Sequence, residues 1–150
     1  MSECKLTAEI IRLSRATNWA AAKLEWSLVE VYESDEPDTC LCGHFPIIEI
    51  CVIRNKRNGN ETIVGNVCVN KFLGLPSDNI FRSVKRIAKD NTKSLSLDAI
   101  DHAYAKKWIT DWERDFSLDT RGKRKMSENQ IAKRVEINRK VMLRMRKSQK

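Results

Sequence analysis

Glycine and proline are scarce in this chain, five and three residues of 150, and histidine occurs only twice. So few helix breakers exclude a collagen-like repeat and a Pro/Gly-rich low-complexity segment. Long apolar runs are also missing, with nothing near the roughly 18–20 consecutive residues that a membrane-spanning helix needs. The opening MSECKLTAEIIRLSR lacks the apolar stretch and small-residue cleavage site of a secretory signal. A cytoplasmic protein without a membrane partner is therefore expected. Neither a phosphate-cradling glycine loop nor a serine-nucleophile motif is present.

What is present suits a globular protein: 41% hydrophobic and 32% charged residues. The length fits one domain, or one small domain with an appended arm. The five cysteines are an odd number, which a complete disulfide framework does not explain, and a reducing cytosol favours thiols or metal ligands. The net charge of +8 is unevenly distributed. Residues 121–150 hold twelve Lys or Arg against Glu128 and Glu136, a local +10, while the first 120 residues sum to −2. A near-neutral body with a basic arm points to a polyanionic partner.

The periodicity predicts an N-terminal helix over about Lys5–Tyr32, with Ile10, Leu13, Thr17, Ala20, Ala21, Leu24 and Leu28 at three- and four-residue steps. The polar, proline-containing Glu33–Thr39 ends it. Phe45–Arg54 is rich in β-branched residues and reads as a strand. Asn55–Asn60 carries an Asn-Gly reversal, and Glu61–Val67 reads as the returning strand. A short helix is expected over Cys68–Phe72, closed by Gly74 and Pro76, and another over Asp78–Lys89 with Ser77 as N-cap. Leu97–Phe116 is predicted as one longer helix. After the basic linker Thr120–Met126, Ser127 and Gln130 form a capping-box pair that opens the last helix. The expected division is a zinc-containing helical domain over 1–120, with its hairpin at about 40–74, and a basic linker and helix over 121–150.

The strongest chemical signal is Cys40-Leu-Cys42-Gly-His44, three donors of the kind zinc prefers within five residues. Gly43 permits a tight backbone around an ion. A fourth ligand is expected from far along the chain, where closing a long loop staples a small fold. Cys68, after the hairpin and at the start of a helix, suits that role, with Cys51 in reserve and Cys4 as a bystander. Knuckle, hairpin and ligand at a helix start together look like a treble clef, although the usual second cysteine at the helix is replaced by Lys71. The plainer alternatives are buried thiols acting as small hydrophobes, or a redox role for Cys40 and Cys42.

The stretch CLCGHFPIIEICVIRNKRNGNETIVGNVCVNKF resembles a segment of uncharacterised small zinc proteins of phages, prophages and bacteria. The shared features are Cys40–Gly43, Asn55, Val64–Cys68 and Phe72, about a third of the chain. The resemblance implies a zinc-bound hairpin and helix and a phage-type origin, hence the host cytoplasm, and it carries no assigned activity.

For function, a His-Asn-His-type nuclease would use His44 as base with Asn66 or Asn70 orienting it. However, His44 is also wanted as a ligand, and Asp98, Asp101 and His102 read equally well as a solvated helix face. The cations Lys123, Arg124, Lys125, Lys133, Arg134, Arg139, Lys140, Arg144, Arg146 and Lys147 are candidate DNA or RNA phosphate contacts. Lys85, Arg86 and Lys89, and the turn residues Lys56 and Arg57, form smaller groups. The four tryptophans fit core packing better than base stacking. The expectation is an α+β protein, mostly helical, with a central treble-clef-like zinc hairpin and a basic C-terminal helix, which binds nucleic acid without chemistry of its own. A protein that inhibits a host enzyme is the alternative.

Overall fold

The computed structural model describes the backbone of residues 3–147 and the side chains of residues 5–146. Over these residues the chain is α+β and divides into two compact units, Met1–Asp78 with Lys147–Lys150, and Asn79–Arg146.

The first unit begins with α1 (Glu3–Arg12) and a one-turn α2 (Trp19–Ala22), followed by a 3₁₀ turn, Lys23–Glu25. Three antiparallel strands come next: β1 (Trp26–Asp38), β2 (Ile47–Asn55) and β3 (Glu61–Gly65). With the two-residue β4 (Arg146–Lys147) the sheet order is β3-β2-β1-β4. In the register Cys51 of the central β2 lies between Val31 of β1 and Val64 of β3. Leu6, Ile10, Trp26, Val31, Ile50, Ile53 and Val64 are buried and make the core. A short α3 (Asn66–Cys68) runs on as a wide turn, Val69–Leu73.

The expected helix over Lys5–Tyr32 does not form, and the physical reason lies in Glu25. Its carboxylate accepts hydrogen bonds from the amides of Arg15 (2.9 Å) and Ala16 (2.8 Å) and from Asn55 Nδ2 (2.9 Å). Those amides are thereby satisfied outside a helical ladder. Trp26–Tyr32 then pairs antiparallel with Ile50–Asn55, with a register shift between Leu28 and Glu30. Asn55 Oδ1 in turn accepts from the amides of Arg57 and Asn58. The side-chain Nδ2 groups of Asn58 and Asn60 both donate to the Leu13 carbonyl at 2.9 Å, so the β2–β3 turn is tied to the end of α1.

The second unit is helical: most of α4 (Ser77–Lys89), then α5 (Leu97–Ala105), α6 (Asp111–Thr120) and α7 (Glu128–Met145). The predicted helix over Leu97–Phe116 is two helices. Lys107 takes a positive φ of 62°, and Thr110 and Glu113 form a capping box that starts α6 afresh. Ser127 and Gln130 cap α7 as the sequence indicates.

The boundary at 78/79 differs from the expected one at 120/121 because α7 is built into the second unit. Ile137, Val141 and Met145 are buried. Asn138 Nδ2 donates to the carbonyls of Asn91 and Lys93, both at 2.8 Å, and Arg134 donates to those of Thr92 (3.1 Å) and Thr120 (2.6 Å). No described helix is long and apolar enough to cross a membrane.

Three outcomes are expected. Asn138→Ala, which strands two loop carbonyls, should cost about 1–3 kcal/mol in urea unfolding, and truncation after residue 120 should unfold the second unit. Hydrogen bonds from the Arg15 amide, Asn55 and the Ala16 amide hold the Glu25 carboxyl below its ordinary value. This stabilisation is present above the unfolded-state value and is lost as pH falls through the folded one. The melting-temperature gap between the native protein and Glu25→Gln should thus be full at pH 7 and narrow on acidification.

Candidate metal centre

Cys40, Cys42 and Cys68 converge. Their sulfur atoms all lie within 4.8 Å of one another, and all three residues are buried. Tetrahedral zinc with Zn–S bonds of about 2.3 Å separates its sulfurs by about 3.8 Å, so this spacing can close on a metal ion with small side-chain shifts.

The local sequence explains the convergence. The Cys40 amide donates to the His44 carbonyl (2.9 Å) and the Gly43 amide to the Cys40 carbonyl (2.8 Å), which folds residues 40–44 into a knuckle. Gly43 sits there at φ +93°, a conformation L side chains rarely adopt, and a Cβ would also meet Lys5 Nζ at 3.0 Å. A cis peptide, Phe45–Pro46, leads into β2. The Leu41 amide donates to the Ile63 carbonyl (3.1 Å) and holds the knuckle to β3. Gly65 lets that strand end close to Ile47, whose Cγ2 would stand 3.1 Å from an added Cβ. The chain then delivers Cys68 from α3.

Two sulfurs already accept backbone hydrogen bonds: Cys40 Sγ from the Gly65 amide (3.3 Å) and Cys42 Sγ from the His44 amide (3.4 Å). Such donors favour the thiolate form. Burial acts in the opposite direction and is the largest effect. It raises the Cys40 thiol against the offsetting amides, and it drives Cys68 well up, with the nearby charge of Cys40 adding to the rise. Three thiolates this close need a cation to neutralise them. The donor set therefore fits a soft or borderline metal ion, with sulfur as its main ligand.

The other predicted ligands are placed differently. His44 is exposed, and its ring nitrogens are not within 4.8 Å of all three sulfurs. Cys51 is fully buried in β2 and outside the cluster. Burial pushes its thiol up to about 12, partly countered by a hydrogen bond with Ser77. The side chain of Cys4 lies outside the described residues.

Asn66, the residue that would orient His44 in a nuclease, is buried, and its Nδ2 donates to Glu49 (3.1 Å) and Asp78 (3.2 Å). Its Oδ1 accepts from the fully buried Ser77 hydroxyl at 2.6 Å. Ser77, expected as an N-cap, is thus part of a polar network that ties β2 and the start of α3 to the start of α4. Sequence reasoning missed this network; its one signal was a polar pair, Asn66 and Ser77, flanking an apolar turn. Asn70 is exposed, Asp98 accepts from Asn79 Nδ2 (2.7 Å), and His102 packs edge-on to Trp108 at 5.3 Å.

The predicted phosphate-binding cations fall into two groups. Lys123, Arg124, Lys125, Arg139, Arg144 and Arg146 are exposed. Lys133, Arg134 and Lys140 are engaged within the second unit. Lys140 pairs with Glu113 at 2.6 Å, Lys133 with Glu136 at 2.9 Å, and Arg134 binds two carbonyls. The Lys147 side chain lies outside the described residues. Lys56 and Arg57 are exposed at the β2–β3 turn.

No family model, curated protein or solved structure matches this chain.

If the cluster holds the knuckle, Cys68→Ser should remove one donor and lower the metal-loaded protein's thermal midpoint by far more than Cys51→Ser, read by calorimetry with and without chelator.

Proposed function

We propose that the chain is a zinc-stabilised nucleic-acid-binding protein, of the phage-type accessory or regulatory kind its Cys40–Phe72 segment resembles, with no chemistry of its own. The observation that carries the metal half is the meeting of three buried sulfurs, two of them accepting backbone amide hydrogens. Zinc is the divalent ion best matched to thiolates in a redox-inert, structural setting. Cys40, Cys42 and Cys68 supply three ligands. His44 supplies the fourth by rotating its imidazole inward from a backbone already bonded to Cys42 Sγ.

The nucleic-acid half rests on charge. The second unit carries 18 Lys or Arg against nine acids, a net +9, whereas the first carries ten against eleven, a net −1. Even with Lys133, Arg134 and Lys140 engaged internally, the exposed cations of the 121–125 linker and of α7 remain to neutralise phosphates and release counterions.

Metal analysis of protein purified without added zinc should give one ion per chain. Cobalt substitution should show a tetrahedral spectrum with thiolate charge transfer, weakened stepwise by Cys40→Ser, Cys42→Ser and Cys68→Ser. A four-thiolate spectrum unaffected by His44→Ala would transfer the fourth position to Cys4 or Cys51. Replacing Lys123, Arg124 and Lys125 by Ala should lower the slope of log affinity against log salt by about 2–3 on duplex DNA. Salt-independent retention on heparin would refute the nucleic-acid reading.

A further inference from the structure

Of the four tryptophans, Trp112 departs most from a core role. It lies on α6 with 59% of its surface exposed, and it stacks on Phe116, with ring centroids 5.3 Å apart and planes inclined by 15°. Lys133 Nζ stands 5.3 Å from the centre of the Trp112 ring. The pair opens onto a groove of about 300 Å³, lined also by Asp115, Asp119, Lys123 and Gln130. That volume is at the low end of small-molecule clefts, roughly 300–1,000 Å³.

We infer that this groove receives an unpaired base of a single-stranded nucleic acid, stacked on Trp112 and Phe116 while the strand's phosphates run over Lys123, Arg124 and Lys125. This rests on the nucleic-acid reading above and narrows it from a polyanion to a strand with accessible bases. Three features favour that occupant. The aromatic stack offers a π surface that any base can use and that a paired base in a duplex hides. The groove's rim adjoins the exposed linker cations Lys123, Arg124 and Lys125, which give the strand's phosphates their counter-charge beside the ring, while Lys133 is paired with Glu136 (2.9 Å) and Glu113 (3.5 Å). The carboxylates of Asp115 and Asp119 repel a phosphate from the groove itself but accept hydrogen bonds from a base's amino edge.

The test compares a fluorescein-labelled single-stranded 12-mer with the corresponding duplex, by anisotropy on the full zinc-loaded chain. Trp112→Ala should weaken single-strand binding about 5- to 150-fold, the range of one lost base–aromatic stack, and leave duplex binding and heparin retention unchanged. Trp112→Phe should retain most of the affinity. Trp112→Leu, which keeps apolar bulk without a ring, should behave as Trp112→Ala, and a matching melting temperature identifies the loss as one of stacking. Equal losses on single strand and duplex, or no loss on either, would overturn the inference while leaving the nucleic-acid reading intact. A native protein that binds neither form would overturn both.

Discussion

The middle of this chain depends on one steric and electrostatic condition: three sulfurs held within 4.8 Å in a buried site. Cysteine side chains are short, so their convergence dictates the backbone around them. The knuckle must turn back on itself at Gly43, β3 must end at Gly65 where an added Cβ would crowd Ile47 Cγ2 at 3.1 Å, and the helix must begin soon enough to present Cys68. Burial disfavours the charged thiolates that the amides of Gly65 and His44 support. A metal ion bound there would relieve that opposition, because its charge replaces the lost solvation.

A second set of constraints is made of buried polar side chains used as joints. Glu25 and Asn55 fix where the N-terminal helices give way to sheet. Asn66 and Ser77 link the central strand to the start of α4. Glu113 caps α6 through Thr110 and pairs with Lys140 and Lys133 of α7. Burial raises the Glu113 carboxyl's tendency to hold a proton, yet the hydrogen bonds from Lys140 and Thr110 outweigh it, and the group stays below its ordinary range. Each joint is a polar group whose desolvation is compensated by several donors, which makes its geometry specific.

These joints also explain what could be read from sequence and what could not. The β2–β3 hairpin was legible because β-branched runs flank an Asn-Gly turn, and the α7 start because Ser127 and Gln130 are a local pair. The knuckle was legible as a spacing, and Cys68 as its distant partner. The strand β1 was not, because its apolar residues do not alternate across the register shift between Leu28 and Glu30, while Leu28 continues the helical step of Leu24. The deciding carboxylate, Glu25, acts with Asn55, thirty residues away. The break before α6 hides in the unremarkable Lys107 and Thr110. The basic stretch misled in a similar way: composition shows Arg134 and Lys140 as charges, and only the fold shows that one binds carbonyls and the other Glu113.

The order of elements along the chain bears on how the protein is made. β1–β3 and all three cysteines of the cluster lie between residues 26 and 68. Domains tend to fold as units from the N-terminal side during synthesis, so the three cysteines can come together before α5–α7 have left the ribosome. β4 is the exception: Lys147 joins the same sheet from the far end of the chain. That last strand can add only after the helical unit between has been translated.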